Sequence, residues 1–186
     1  GRPAATIIAS VVPDALERVR DQVSESMDHE PLVVGERIPL PIEVGVSDPR
    51  AIGVDRVCGA AAAYMTLQSM CVVASLGTAI TVDLVNEGGV LVGGAILPGV
   101  RLQLAALNEH TAALPLVEAG VPELAYGRST DEAIQTGVCR GIAGAIRGIV
   151  EGSATHLNRW PHVVATRVAL DLHAPLRDCS HSGVRG

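Results

Sequence analysis

The chain has 186 residues, 48% of them hydrophobic and 18% charged, a balance that excludes a disordered protein. Its net charge of −6 argues against a nucleic-acid partner, and the lack of any run of 18 apolar residues argues against a membrane-spanning helix. All 14 basic residues are arginine, so a P-loop or a Schiff-base enzyme, each of which needs a lysine, is excluded by counting. Any phosphate chemistry must then use backbone N–H groups, hydroxyls, arginine or metal ions.

In chain order, the apolar run Ala5 to Val12 predicts a buried strand. Pro13 and Asp14 open a helix to about Met27, with Leu16, Val19 and Val23 on one face. Pro31 to Val34 is a short strand, and Pro39 and Pro41 make the next segment an edge or a linker. After the Asp48-Pro49 turn, a second helix spans about Ile52 to Gln68 around the Ala60–Ala63 run. Cys71 to Ala74, Ala79 to Val85 and Val90 to Leu97 predict three adjacent strands. Gly77 breaks the first connection, and Asn86-Glu87-Gly88-Gly89 forms a hairpin turn in the second.

Pro98-Gly99 begins a helix to about Leu107, and Ser129, with Glu132 reaching back, caps another that runs to about Thr155. That last helix carries Gly137, Gly141, Gly144, Gly148 and Gly152 at spacings of three and four. Such a face implies close approach by its own sheet, by another helix or by a partner subunit.

With no phenylalanine, the core must be built from Ala, Val, Ile and Leu. Cys58, Cys71, Cys139 and Cys179 match no zinc spacing and read as reduced, mostly buried thiols. The histidines, His29, His110, His156, His162, His173 and His181, lack metal-ligand spacing too. No basic-then-apolar leader opens the sequence, so a cytoplasmic protein is expected.

Three constellations can carry chemistry. In Asp48 to Arg56, Gly53 permits a tight entry into a helix whose first turn holds Asp55 and Arg56. A carboxylate there can serve as a general base, or the pair can be a cap with a surface ion pair. In Ser75 to Asp83, a strand, a glycine turn and a Thr-bearing strand can cradle a phosphate through N–H groups and the hydroxyls of Thr78 and Thr81. The third, Thr111 to Pro115, reads alone as a loop with a threonine cap. Asp83 is either a site neighbour or a strand-end surface residue, while Glu132 is explained as a cap.

Taken in order, GVDR (53–56), GTAIT with Asp83, GGAILPG (93–99), TAALP (111–115) and GRSTDEAIQTG (127–137) resemble the type III pantothenate kinases, a family related to the Bvg accessory factors. The likeness covers roughly residues 5 to 155. It implies an α/β fold of two ribonuclease-H-like lobes in the superfamily of acetate and sugar kinases and actin. Residues 1–69 would then be the remainder of the first lobe, 70–172 the second and 173–186 a tail.

The resemblance also implies phosphoryl transfer from ATP, with Mg²⁺, to the 4′-hydroxyl of pantothenate in coenzyme A biosynthesis, by a homodimer. Asp55 matches the general base, and Gly53, Val54 and Arg56 fall in the pantothenate-binding segment, with Arg56 positioning the substrate. Thr111 matches a threonine that binds pantothenate near the dimer interface. Gly77, Thr78 and Thr81 fall in the segment that contacts ATP phosphate.

Four departures accompany the match. The sequence starts past the family's opening strand and DxGNT phosphate loop. Ser75 stands at the aspartate that binds a monovalent cation (K⁺ or NH₄⁺), where a neutral hydroxyl is a weaker ligand. Val46 replaces a tyrosine of the pantothenate site, and Thr166-Arg167-Val168 stands where the family has T-G-G near the adenosine. Two expectations follow: an active kinase seen in part, or a kinase-like protein that binds or scaffolds without catalysis.

Overall fold

Alternating rows of β-branched and small residues build the central sheet. A computed structural model describes residues 5–27 and 29–167. The expected 173–186 tail, Cys179, His173, His181 and Val168 lie outside the described residues. Three strands, β4 (Cys71–Leu76), β5 (Ala79–Val85) and β6 (Val90–Pro98), form an antiparallel meander. Two more strands flank it in parallel: β3 (Glu43–Val44) beside β6 and β7 (His162–Arg167) beside β4. The order across the sheet is β3-β6-β5-β4-β7. The first strand and the second, β1 (Ile7–Ile8) and β2 (Leu32–Val33), pair only with each other.

Because side chains alternate across a strand, the sheet buries both faces. Val72, Ala74, Ile80 and Val82 join one cluster with Leu104, Ile134 and Val138. Cys71, Val73, Val85 and Leu91 join the other with Val57, Ala60 and Ala63. Each fully buried valine or isoleucine here contributes about 1.5–3 kcal/mol. Helix α2 (Val54–Leu67) therefore covers one face, and α3 (Val100–Glu109) and α4 (Thr130–Leu157) cover the other. The alanines of α2 bring its axis close to the sheet, as Ala60, Ala61 and Ala63 are all buried.

The expected elements recur with shifted ends. The strand expected over residues 5–12 shortens to Ile7–Ile8, because its partner offers only two residues for pairing. Helix α1 (Pro13–Met27) has the expected span but no fully buried residue, and Val19 is 42% exposed. The hairpin at residues 86–89 closes through Asn86 Oδ1, which accepts the N–H groups of Gly88 and Val90. Gly89 has φ +76° there and packs under the Tyr64 ring, so a side chain would be strained and crowded. Strand β7 has no counterpart in the sequence reading, although Val163, Val164 and Thr166 are β-branched.

Two expectations need correction. The glycine stripe of α4 does not pack on its own sheet or on another helix. A Cβ at Gly137, Gly141, Gly144, Gly148 or Gly152 would meet nothing within 4 Å, and all five are exposed. The apolar face of α4, with Ile134, Val138 and Ile142, is turned to the sheet instead. Of the thiols among the described residues, Cys71 is fully buried, while Cys58 and Cys139 are half-buried. Burial raises the pKa of all three, and the nearby Asp55 charge adds to this for Cys58.

Helix α4 begins as its sequence dictates. Ser129 Oγ accepts the Glu132 N–H, and Glu132 Oε2 accepts the N–H of Arg128, one residue before the expected one. Ser129→Ala should lower stability by about 1 kcal/mol, read as a reduced urea midpoint. An unchanged midpoint would mean that the cap does not hold this helix.

Candidate active site

The turn before α2 is set by Asp48, whose Oδ1 accepts the Arg50 N–H and whose carbonyl accepts that of Ala51. Gly53 is the N-cap, and its carbonyl accepts the N–H groups of Arg56 and Val57. A Cβ on Gly53 would lie 2.5 Å from Asp55 Oδ1 and 3.3 Å from Val11 Cγ1. The exposed Asp55 carboxylate thus folds back over the bare N-cap, a favourable end of the helix dipole for an anion. Val54 occupies the first turn and is half-buried.

Arg56 points onto the sheet. Its Nε and Nη2 both donate to Asp83 Oδ1, at 2.9 Å and 2.5 Å. Asp83 is 1% exposed, so it is a buried partner of Arg56 and not a strand-end surface residue. A carboxylate at that depth costs several kcal/mol unless paired and hydrogen-bonded. Gly94, opposite Asp83 on β6, is the residue sequence reasoning missed. A Cβ there would lie 2.6 Å from Asp83 Oδ1 and 2.9 Å from Arg56 Nη2. The signal was present, since glycine inside a strand often marks close approach of another group.

Register carries this face onward. Asp83 pairs with Val73 and Gly94, and the next row of the same face is Ile96, Thr81, Ser75 and Thr166. That row lies two residues along each strand, roughly 6.6 Å away. In this row Thr166 Oγ1 donates to Ser75 Oγ at 3.1 Å at the exposed end, and Thr81 Oγ1 is buried without a partner. The Gly77-Thr78 turn lies beyond. Gly77 N–H donates to the Ala79 carbonyl, and the Thr78 carbonyl accepts the Gly99 N–H. Among the described residues, this leaves the Thr78 N–H and hydroxyl without partners.

Asp83, Thr81 and Ser75 thus share the sheet face that α2 covers, and Arg56 reaches down to it. Neither Asp55 nor Thr78 lines any of five surface cavities. Thr111 stands apart from this group. It follows α3 on the opposite face, where its Oγ1 donates to the Leu107 carbonyl at 2.6 Å and accepts the Leu114 N–H at 3.3 Å. It borders an apolar groove of about 840 Å³ between α3 and α4, which Gly137 also lines. Val46, just past β3, is half-buried. Among the described residues, no three His, Cys, Asp or Glu side chains cluster as a metal site. Among the same residues, no helix is long and apolar enough to cross a membrane.

A family model described as type III pantothenate kinase matches residues 1–152. The chain belongs to the type III pantothenate kinase family. Among curated relatives, the type III pantothenate kinase of Rhodospirillum rubrum is 38% identical over 94% of this chain and 68% of its own length. Those of Dehalococcoides mccartyi and Gluconobacter oxydans are 36% and 37% identical, each over 86% of this chain. The chain spans 62% and 59% of the lengths of those two relatives. The solved structure of a conserved Baf-family protein from Campylobacter jejuni has the same fold. It aligns with a TM-score of 0.57 at 20% identity, over 89% of this chain and 77% of that one. The fold is mixed α/β, a mixed sheet with flanking helices.

Gly99 locks the turn. A Cβ there would collide with the carbonyls of Gly77 and Thr78. Gly99→Ala should cost about 2 kcal/mol or more in urea denaturation. Gly88→Ala, whose Cβ would meet only Asn86 Oδ1 at 3.4 Å, should stay within about 0.5 kcal/mol. Equal effects would mean that the turn does not depend on this contact.

Proposed function

We propose that this chain carries the acceptor half of a pantothenate kinase site and takes part in ATP-dependent phosphorylation of pantothenate to 4′-phosphopantothenate, a step in coenzyme A biosynthesis. The observation that carries the reading is the shared sheet face. Helix α2, whose first turn holds Asp55, covers the face on which Asp83 and, one strand row beyond it, Thr81, Ser75 and Thr166 stand. The names of the curated relatives support the same activity.

In this reading Asp55 takes the proton of the 4′-hydroxyl, since it is an exposed carboxylate at the start of α2. Gly53 and Val54 form the floor against which pantothenate lies, and Arg56 orients it. The transfer depends mainly on positioning and charge neutralisation. When bound, ATP supplies the phosphoryl group, and Mg²⁺ arrives on its phosphates. The partnerless Thr78 N–H and hydroxyl and the orphaned Thr81 Oγ1 suit a phosphate oxygen. Gly77 contributes the turn and not its N–H.

The residues do not fit a K⁺ or NH₄⁺ ion. Ser75 and Thr166 offer two neutral hydroxyls already bonded to each other, with no carboxylate in the pair. The lobes we assign are ribonuclease-H-like, with a boundary near residues 69 and 70.

The position of Thr111 favours a homodimer. Within one chain it is on the sheet face opposite Asp55, so a second copy would have to bring it to the substrate. The exposed glycine stripe and the groove beside it offer that copy a close-packing surface. The Ser75 substitution favours one competing reading, a protein that binds pantothenate without transferring phosphate.

Purified chain should convert pantothenate and Mg-ATP to phosphopantothenate, and Asp55→Asn should lower kcat by roughly 10² or more. Asp55→Asn and Thr111→Val chains, each impaired alone, should regain activity on mixing. No turnover above background at millimolar substrate would overturn the kinase reading. Pantothenate binding without ATP binding would then support the binding role.

A further inference from the structure

We infer that Asp83 and Gly94 are positioning residues of the pantothenate site, acting through Arg56; this rests on the functional reading above. Asp83 is 1% exposed in the middle of β5, and its one side-chain partner among the described residues is Arg56. Two donors of the guanidinium, Nε and Nη2, converge on the single oxygen Oδ1. One edge of the fork is therefore fixed. Nη1 has no partner among the described residues, and the side chain keeps 16% of its surface open. A guanidinium held by one edge presents the other as a preorganised donor pair, the geometry that suits a carboxylate such as that of pantothenate.

Gly94 makes this arrangement possible. Its neighbour strand brings it opposite Asp83, and a Cβ would crowd both partners of the ion pair. A glycine inside a strand weakens it, so the position is occupied against local preference. The clamp also sets the helix above it. Successive residues of α2 project about 100° apart, so fixing Arg56 on the sheet fixes the flank from which Asp55 projects.

The test combines calorimetric titration of pantothenate with side-chain NMR on the same full chain. The inference expects Asp83→Asn to weaken pantothenate binding at least tenfold and to raise KM far more than it lowers kcat. Gly94→Ala should do the same, and Asp83→Glu should recover part of the affinity. In the wild type, the Arg56 Nε–H signal should exchange slowly, and the Nη1 protons should shift on saturation with pantothenate.

Wild type and Asp83→Asn binding within twofold of each other would overturn the inference. So would unchanged Nη1 signals at saturation, a readout that needs no variant to fold. If wild type does not bind pantothenate at all, the functional reading fails and the positioning role falls with it. The Nε–H exchange rate then reports separately whether the clamp exists.

Discussion

One buried ion pair fixes where helix α2 meets the sheet. Asp83 is inaccessible in the centre of β5, and removing the arginine that answers it would leave an unpaired charge, a loss of about 3–5 kcal/mol. At the crossing point β6 presents a glycine, where a Cβ would crowd both partners as well as the Val82 carbonyl. Apolar contacts of Val57, Ala60 and Ala63 press α2 onto the sheet and set the side that faces it. The Arg56 to Asp83 bond pins the first turn of the helix to one point of the sheet, beside the carboxylate one residue earlier.

The two faces of the sheet then take different tasks. The α2 face carries charge and hydroxyls in adjacent rows, from Asp83 to Thr81, Ser75 and Thr166. The α3–α4 face is mostly apolar, with Thr111 at one end of its groove and the bare glycine stripe on the outer side of α4. A site that needs both Asp55 and Thr111 has to cross from one face to the other, which is the geometric basis of the proposed dimer. The same arrangement accounts for the mismatch at Ser75. Its hydroxyl is satisfied by Thr166, so this part of the face is neutral where the family resemblance implies a cation held by aspartate.

Much of the local structure was legible in the residues. The Ser129–Glu132 pair predicts the start of α4 and the Asn86–Gly89 run predicts the hairpin; both form, with the Glu132 carboxylate bonding one residue earlier than expected. These are short-range devices, complete within four residues, so no tertiary information is needed to read them. Strand β7 escaped because its ladder depends on β4, some 90 residues earlier, and nothing local distinguishes it from a loop. The glycines of α4 left three neighbours open, a sheet, a helix or a partner subunit, and the fold removes the first two. Their spacing implies a close neighbour, but only the fold shows that the helix turns its isoleucines and valines inward and leaves the stripe outside. Of the site, GVDR and the threonine hairpin were legible as motifs. The Asp83–Arg56 bond and the role of Gly94 were not, since they join three elements through a register that alternation alone does not set.

A double-mutant cycle on Arg56 and Asp83 tests the central claim most directly. Urea unfolding of the wild type, Arg56→Gln, Asp83→Asn and the double variant gives the coupling between the two side chains. A coupling of about 2 kcal/mol or more is predicted for a buried, hydrogen-bonded pair. A coupling below about 0.5 kcal/mol would contradict it, because the two residues would then be independent and α2 would be held on the sheet by other means.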